Sequence, residues 1–189
     1  MQLSHRLLTR LAAAVLFAAS IPNAFAAEVT VWHIKAVHPE GRLLDVKALD
    51  ESGKIYDVKA FEEKGNLHLM DVKALVGGKR SPVKVLVSDD EYAPVKAIGD
   101  DGSILDIKAL TSDGKKLDVK GVKRSGNIVH IKAIAADGSF YAVKAISPRG
   151  QLYDVKGVKL SDEPVETEVS GVPVAAHIKA LPQTPSQGE

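Results

Sequence analysis

Ile55-Tyr56-Asp57-Val58-Lys59-Ala60-Phe61, preceded by Glu51-Ser52-Gly53, is the stretch from which the rest of the chain can be read. Apolar and polar side chains alternate along it and β-branched and aromatic residues dominate, the period-two signature of a half-buried strand. The pattern recurs around Lys35 and Lys47, and after a disturbed stretch around Lys84, Lys96, Lys108, Lys120, Lys132, Lys144 and Lys156, one lysine every twelve residues. Self-similarity at a fixed spacing marks a repeat architecture, here with one strand per unit.

Glycine closes a three-residue link before most of these units: Pro39-Glu40-Gly41, Glu51-Ser52-Gly53, Asp100-Asp101-Gly102, Ser112-Asp113-Gly114, Arg124-Ser125-Gly126, Ala136-Asp137-Gly138 and Pro148-Arg149-Gly150. A three-residue hairpin loop is a type I turn followed by a left-handed residue, which suits proline first and glycine last. Each link therefore predicts a β-hairpin. With Glu51 to Gly53 as the loop, Leu49 faces Ile55, Lys47 faces Asp57 and Val46 faces Val58, so acid meets base on one face of the sheet. The other face carries Leu44-Val46-Ala48, Tyr56-Val58-Ala60 and their equivalents, setting a large Tyr or Leu opposite a small Ala. That apolar face needs cover, and no segment after the leader has the helical period to supply it.

The expected fold is all-β: an antiparallel up-and-down meander of about 11–13 short strands, closed into a barrel or folded as two packed sheets. Gly77-Gly78 and Pro82 interrupt the repeat between Val76 and Pro94, which predicts a corner or an edge there, because proline cannot donate to a ladder. A last repeat-like segment, His177-Ile178-Lys179-Ala180-Leu181, mirrors the first, His33-Ile34-Lys35-Ala36-Val37, and makes these two the candidates for closure between the end strands.

The repeated Asp-Val-Lys-Ala unit resembles a family of exported bacterial repeat proteins of unknown function, over nearly all of Val31 to Leu181. The Asp-Val-Lys and Asp-Ile-Lys triplets also resemble those of the septoil-knot domains, which implies a knotted β-repeat fold as the alternative topology. Neither resemblance implies a substrate.

The first 26 residues read as a signal peptide, with Arg6 and Arg10, an apolar run from Leu11 to Ser20, and Ala24-Phe25-Ala26 as the cleavage site. The single domain expected over residues 27–181 is followed by a disordered tail, 182–189. Removing the leader takes Arg6 and Arg10 from 25 Lys+Arg and nothing from 24 Asp+Glu, so the net charge moves from +1 to −1. A general nucleic-acid binder carries a basic excess instead. There are no cysteines, so burial and backbone pairing alone hold the fold, and the expected location is periplasmic or secreted.

Candidate sites stand beside structural readings of the same residues. The lysine row reads as a register ladder, or alternatively as a surface for an anionic polysaccharide or lipid head group. Lys96 and Lys144 are its expected under-compensated members, since Pro94 and Ala142 occupy the aspartate place in their own repeats. Histidine fills that place at His33, His130 and His177; if the end strands meet, His33 and His177 approach one another as a metal or titrating pair. Trp32 is a core residue by its repeat position and a carbohydrate platform by its chemistry. No nucleophile elbow, phosphate-binding loop or zinc motif is present, and no cofactor is expected. The leading functional expectation is a secreted or periplasmic, non-enzymatic structural or binding module for a protein or polysaccharide of the cell envelope, with no nucleic-acid partner and no stable membrane insertion. The alternatives are a small outer-membrane β-barrel with Asp and Lys lining its lumen, and an enzyme with an unfamiliar site around His33 and His177.

Overall fold

The structure, a computed structural model, describes residues 29–62, 69–159 and 167–183; the leader and residues 184–189 of the tail lie outside the described residues. Among the described residues, thirteen strands form one antiparallel sheet and there is no helix. They are β1 (Thr30–Val37), β2 (Leu43–Leu49), β3 (Ile55–Glu62), β4 (Met70–Val76), β5 (Lys79–Leu86), β6 (Ala93–Ile98), β7 (Ile104–Leu110), β8 (Lys116–Ser125), β9 (Ile128–Ile134), β10 (Phe140–Ile146), β11 (Leu152–Val158), β12 (Thr167–Val169) and β13 (Val172–Pro182).

The turns follow from their residues. Asp50 N–H donates to the Lys54 carbonyl at 3.2 Å and Gly53 N–H to the Asp50 carbonyl at 2.9 Å. Gly53 has φ +82°, a left-handed conformation that glycine adopts without a Cβ clash. The turns ending in Gly41, Gly102, Gly114, Gly138 and Gly150 repeat this geometry. The link at Arg124-Ser125-Gly126 does not: β8 runs on to Ser125, which faces Ile128 across a two-residue turn, and a bulge between Gly121 and Lys123 absorbs the shift. The expected corner between Val76 and Pro94 is instead a tight hairpin. Gly77 and Gly78 (φ +57° and +81°) set Val76 against Lys79, the primed turn that matches strand twist. Pro82 sits inside β5, which pairs with β4, β6 and β13 and is no edge.

The expected hairpin register holds near the three-residue turns and ends there. Lys47, Ala48 and Leu49 face Asp57, Tyr56 and Ile55; then the strands part. Val46 faces Ala109 of β7, and Val58 faces Ala74 of β4, so the expected Val46–Val58 pairing is not formed. Short, strongly twisted strands splay beyond the turn, and splaying gives each of β1 to β11 three partners instead of two. The result is four triads of mutually paired strands: β1-β2-β3, β4-β5-β13, β6-β7-β8 and β9-β10-β11. Each triad is joined once to each of the others, through β1–β10, β2–β7, β3–β4, β5–β6, β8–β9 and β11–β13. The connectivity is that of a tetrahedron. The sheet closes on itself as one layer, and the end strands do not close it together: β1 meets β10, while β13 meets β11, β4 and β5.

Alanine makes this three-way pairing possible. Ala48 faces Tyr56 on one side and Ile107 on the other, and Ala36 faces Leu44 and Val143. Ala36, Ala48, Ala60, Ala74, Ala97, Ala109, Ala133, Ala145 and Ala180 are fully buried. With Val46, Val58, Val72, Val83, Val119, Val143 and Val155 they form one contiguous core inside the closed sheet. Apolar side chains therefore fill the interior and Asp and Lys lie outside, the reverse of the arrangement a charge-lined pore needs. The outer ion pairs are half-exposed, and such pairs are individually weak. Asp57→Asn is expected to lower stability in urea unfolding by only about 0.2–1 kcal/mol.

Candidate functional site

The triad geometry determines which charge meets which. Within a triad, each lysine faces the aspartate position of a partner strand. In the β1-β2-β3 triad, Lys35 pairs with Asp45, Lys47 with Asp57, and Lys59 with His33 at 3.0 Å. In β6-β7-β8, Lys96 pairs with Asp106 and Lys108 with Asp118, while Lys120 faces Pro94. In β4-β5-β13, Lys179 pairs with Asp71, Lys84 contacts Nδ1 of His177, and Lys73 faces Pro82. In β9-β10-β11, Lys144 pairs with Asp154, Lys156 lies 3.3 Å from His130 Nδ1, and Lys132 faces Ala142.

Lys96 and Lys144 are thus paired with carboxylates, contrary to expectation. The partner of a lysine lies on another strand of its triad, so Pro94 and Ala142 deprive Lys120 and Lys132 instead. Between triads the expected alternation of charge is replaced by lysine facing lysine at every junction: Lys35–Lys144, Lys47–Lys108, Lys59–Lys73, Lys84–Lys96, Lys120–Lys132 and Lys156–Lys179. Aspartates offset this by bridging two lysines. Asp71 takes Lys73 at 3.1 Å besides Lys179, and Asp154 takes Lys156 at 3.4 Å besides Lys144.

His33 and His177 lie in different triads and face Lys59 and Lys84, not one another. Burial, then the neighbouring lysines, hold the imidazoles of His33, His130 and His177 below the ordinary histidine range. Burial, then the charges of Lys73 and Lys179, bring Lys84 down to about 8; burial, then Lys156 and Lys144, lower Lys132. Trp32 is 3% exposed, its Nε1 donates to Glu62 Oε2 at 2.8 Å, and its ring lies 4.6 Å from that of Tyr153. It is a core residue, with no face open for a sugar to stack on. Among the described residues no three His, Asp or Glu side chains gather as a metal site.

A wide concavity lies elsewhere, where three turns converge over the ring of strands β1, β2, β7, β8, β9 and β10. It is a cleft of about 990 Å³ lined by His38 and Arg42 from the first turn, Thr111, Asp113 and Lys115 from the second, and Asp137 from the third. Leu44, Leu117 and Tyr141 form its floor. The rim is internally ordered: Arg42 lies 3.1 Å from His38 Nε2, His38 packs edge-on against Tyr141 at 4.7 Å, and Lys115 reaches Asp113 at 2.9 Å. Hydrogen bonds from Thr111 and Lys115 bring the Asp113 carboxyl down to about 2, and Ser139 lowers that of Asp137. Both carboxylates are therefore charged acceptors at neutral pH. Sequence reading missed this cleft because its three turns lie up to about a hundred residues apart and meet only through the β2–β7 and β1–β10 pairings.

A family model described as a family of unknown function (DUF7486) matches residues 28–181. No curated protein and no solved structure matches the chain.

Proposed function

We propose that this chain, which belongs to that family, is a non-enzymatic binding module of the periplasm or cell exterior that takes a segment of envelope polysaccharide into the three-turn cleft. One observation carries this reading: a concave opening with an apolar floor and a rim of alternating fixed charges, Arg42 and Lys115 against Asp113 and Asp137, set on rigid hairpins. Hydroxyl-rich chains are held by such paired donors and acceptors around an apolar patch. The rim residues lie outside the core, so they can be changed without disturbing it. A protein partner is the second outcome of the same surface.

The test is a glycan array probed with the protein from residue 27 onward. Arg42→Ala and Asp137→Ala are each expected to weaken the bound glycan at least tenfold, with the urea midpoint unchanged for Arg42→Ala and only slightly lowered for Asp137→Ala, which gives up its hydrogen bonds from Ser139. Binding that survives both substitutions, or an array with no bound glycan, would remove the cleft as a polysaccharide site.

A further inference from the structure

The four lysine triads are built alike but are not charged alike. The β1-β2-β3 triad sets Asp45 and Asp57 against three lysines, and β6-β7-β8 sets Asp106 and Asp118 against three. The other two hold one carboxylate each: Asp71 among Lys73, Lys84 and Lys179, and Asp154 among Lys132, Lys144 and Lys156. In both, a histidine and a residue without charge, Pro82 or Ala142, stand where the remaining aspartates would be. Six of the twelve aspartate positions are filled by other residues, one in each of the first two triads and two in each of the others, so these last two each carry a surplus of two positive charges.

We propose that these two triads, Lys73-Lys84-Lys179 with His177 and Lys132-Lys144-Lys156 with His130, are anion sites that each accept a phosphoryl group. Each triad brings lysines from three different strands together with a single carboxylate that two of them share, Asp71 or Asp154, and lysine serves a phosphoryl group as a compact point charge. Lys84 Nζ approaches Nδ1 of His177, and with Nδ1 accepting, the neutral ring has its proton on Nε2 as a further donor. The side chains are held: Lys144, Lys156 and Lys179 are only 19–21% exposed. Burial, then the neighbouring lysines, lower the titration of Lys84 and Lys132, which face His177 and Ala142 where a carboxylate would otherwise stand. This inference is independent of the polysaccharide cleft, which lies between other residues.

Inorganic phosphate, titrated at constant ionic strength against the histidine ring resonances, tests it. His177 and His130 are expected to shift and saturate, while His33, in the β1-β2-β3 triad with its two aspartates, responds at least tenfold more weakly. Lys84→Met is expected to abolish the His177 response and spare that of His130. Ala142→Asp supplies the missing carboxylate and is expected to abolish the His130 response alone, with the fold retained. Equal responses at all three histidines, or none, overturn the proposal, as does a His130 response that persists in Ala142→Asp. Co-sedimentation with phosphatidylglycerol but not phosphatidylcholine vesicles would assign the group to a lipid head; phosphate binding without it assigns the group to soluble phosphate.

Discussion

Gly121→Ala is expected to lower stability by about 1–3 kcal/mol, read as a drop in the urea midpoint, although glycine-to-alanine changes at unstrained positions usually stabilise a chain. Gly121 and Gly157 replace alanine in their repeats, and both abut the same side chain. A Cβ at Gly121 would lie 2.8 Å from Val129 Cγ1; one at Gly157 would lie 3.0 Å from Val129 Cβ and 3.1 Å from Val85 Cγ2. Valine is stiff at χ1 and cannot swing freely aside, and retreat from one glycine carries Val129 toward the other. The Gly121→Ala, Gly157→Ala double variant is therefore expected to cost more than the two single changes together, and Val129→Ala is expected to restore most of the loss from Gly121→Ala. Strict additivity of the two glycine changes, or a stabilising Gly121→Ala, would show that the junction of β8, β9 and β11 is looser than its contacts.

Lys84→Met is expected to stabilise the protein at pH 7. In the folded chain burial and the charges of Lys73 and Lys179, only partly offset by Asp71, bring Lys84 to about 8 against an ordinary 10.5. Below pH 8 the ammonium is present in both states and is disfavoured in the folded one, so its cost is felt in full. Between about 8 and 10.5 the unfolded chain holds the proton that the folded chain has lost, so stability rises with pH. The gain from Lys84→Met is about 1–2 kcal/mol at pH 7, once solvent screening of a half-exposed group is allowed for. It is expected to shrink through the interval from pH 8 to 10.5, as seen in parallel urea curves of the two proteins. A pH-independent difference would mean that the methionine acts by packing alone. Phosphate at the same triad is expected to stabilise the parent and leave the variant unmoved, since it binds only the folded lysine cluster.

Hairpins, strand count and the opposition of large to small residues are local properties and were legible in the repeat. The Lys47–Asp57 and Ala48–Tyr56 pairs follow from a turn of known length and need no distant contact. The splay is different, because a ladder of three pairs and one of seven share the same turn and the same alternation. Nothing near Val46 in the sequence points to Ala109, which it reaches only when the β2–β7 junction forms. The same gap explains the lysines. The ten-residue step from Lys47 to Asp57, applied to Lys132, leads to Ala142 and identifies Lys132 as the uncompensated residue. Lys120 facing Pro94 and Lys84 facing His177 depend on closure of their triads across the chain and carry no local sign.

The strand β13 completes the β4-β5 triad from the far end of the chain, its Lys179 reaching Asp71 across 108 residues. A nascent polypeptide can assemble the other three triads as consecutive strands emerge, yet β4 and β5 must wait for their third strand until the final segment is released. Assembly dominated by so late and distant a docking step is slow, and any cleavage ahead of Val172 leaves Met70 and Val85 beside an open seam.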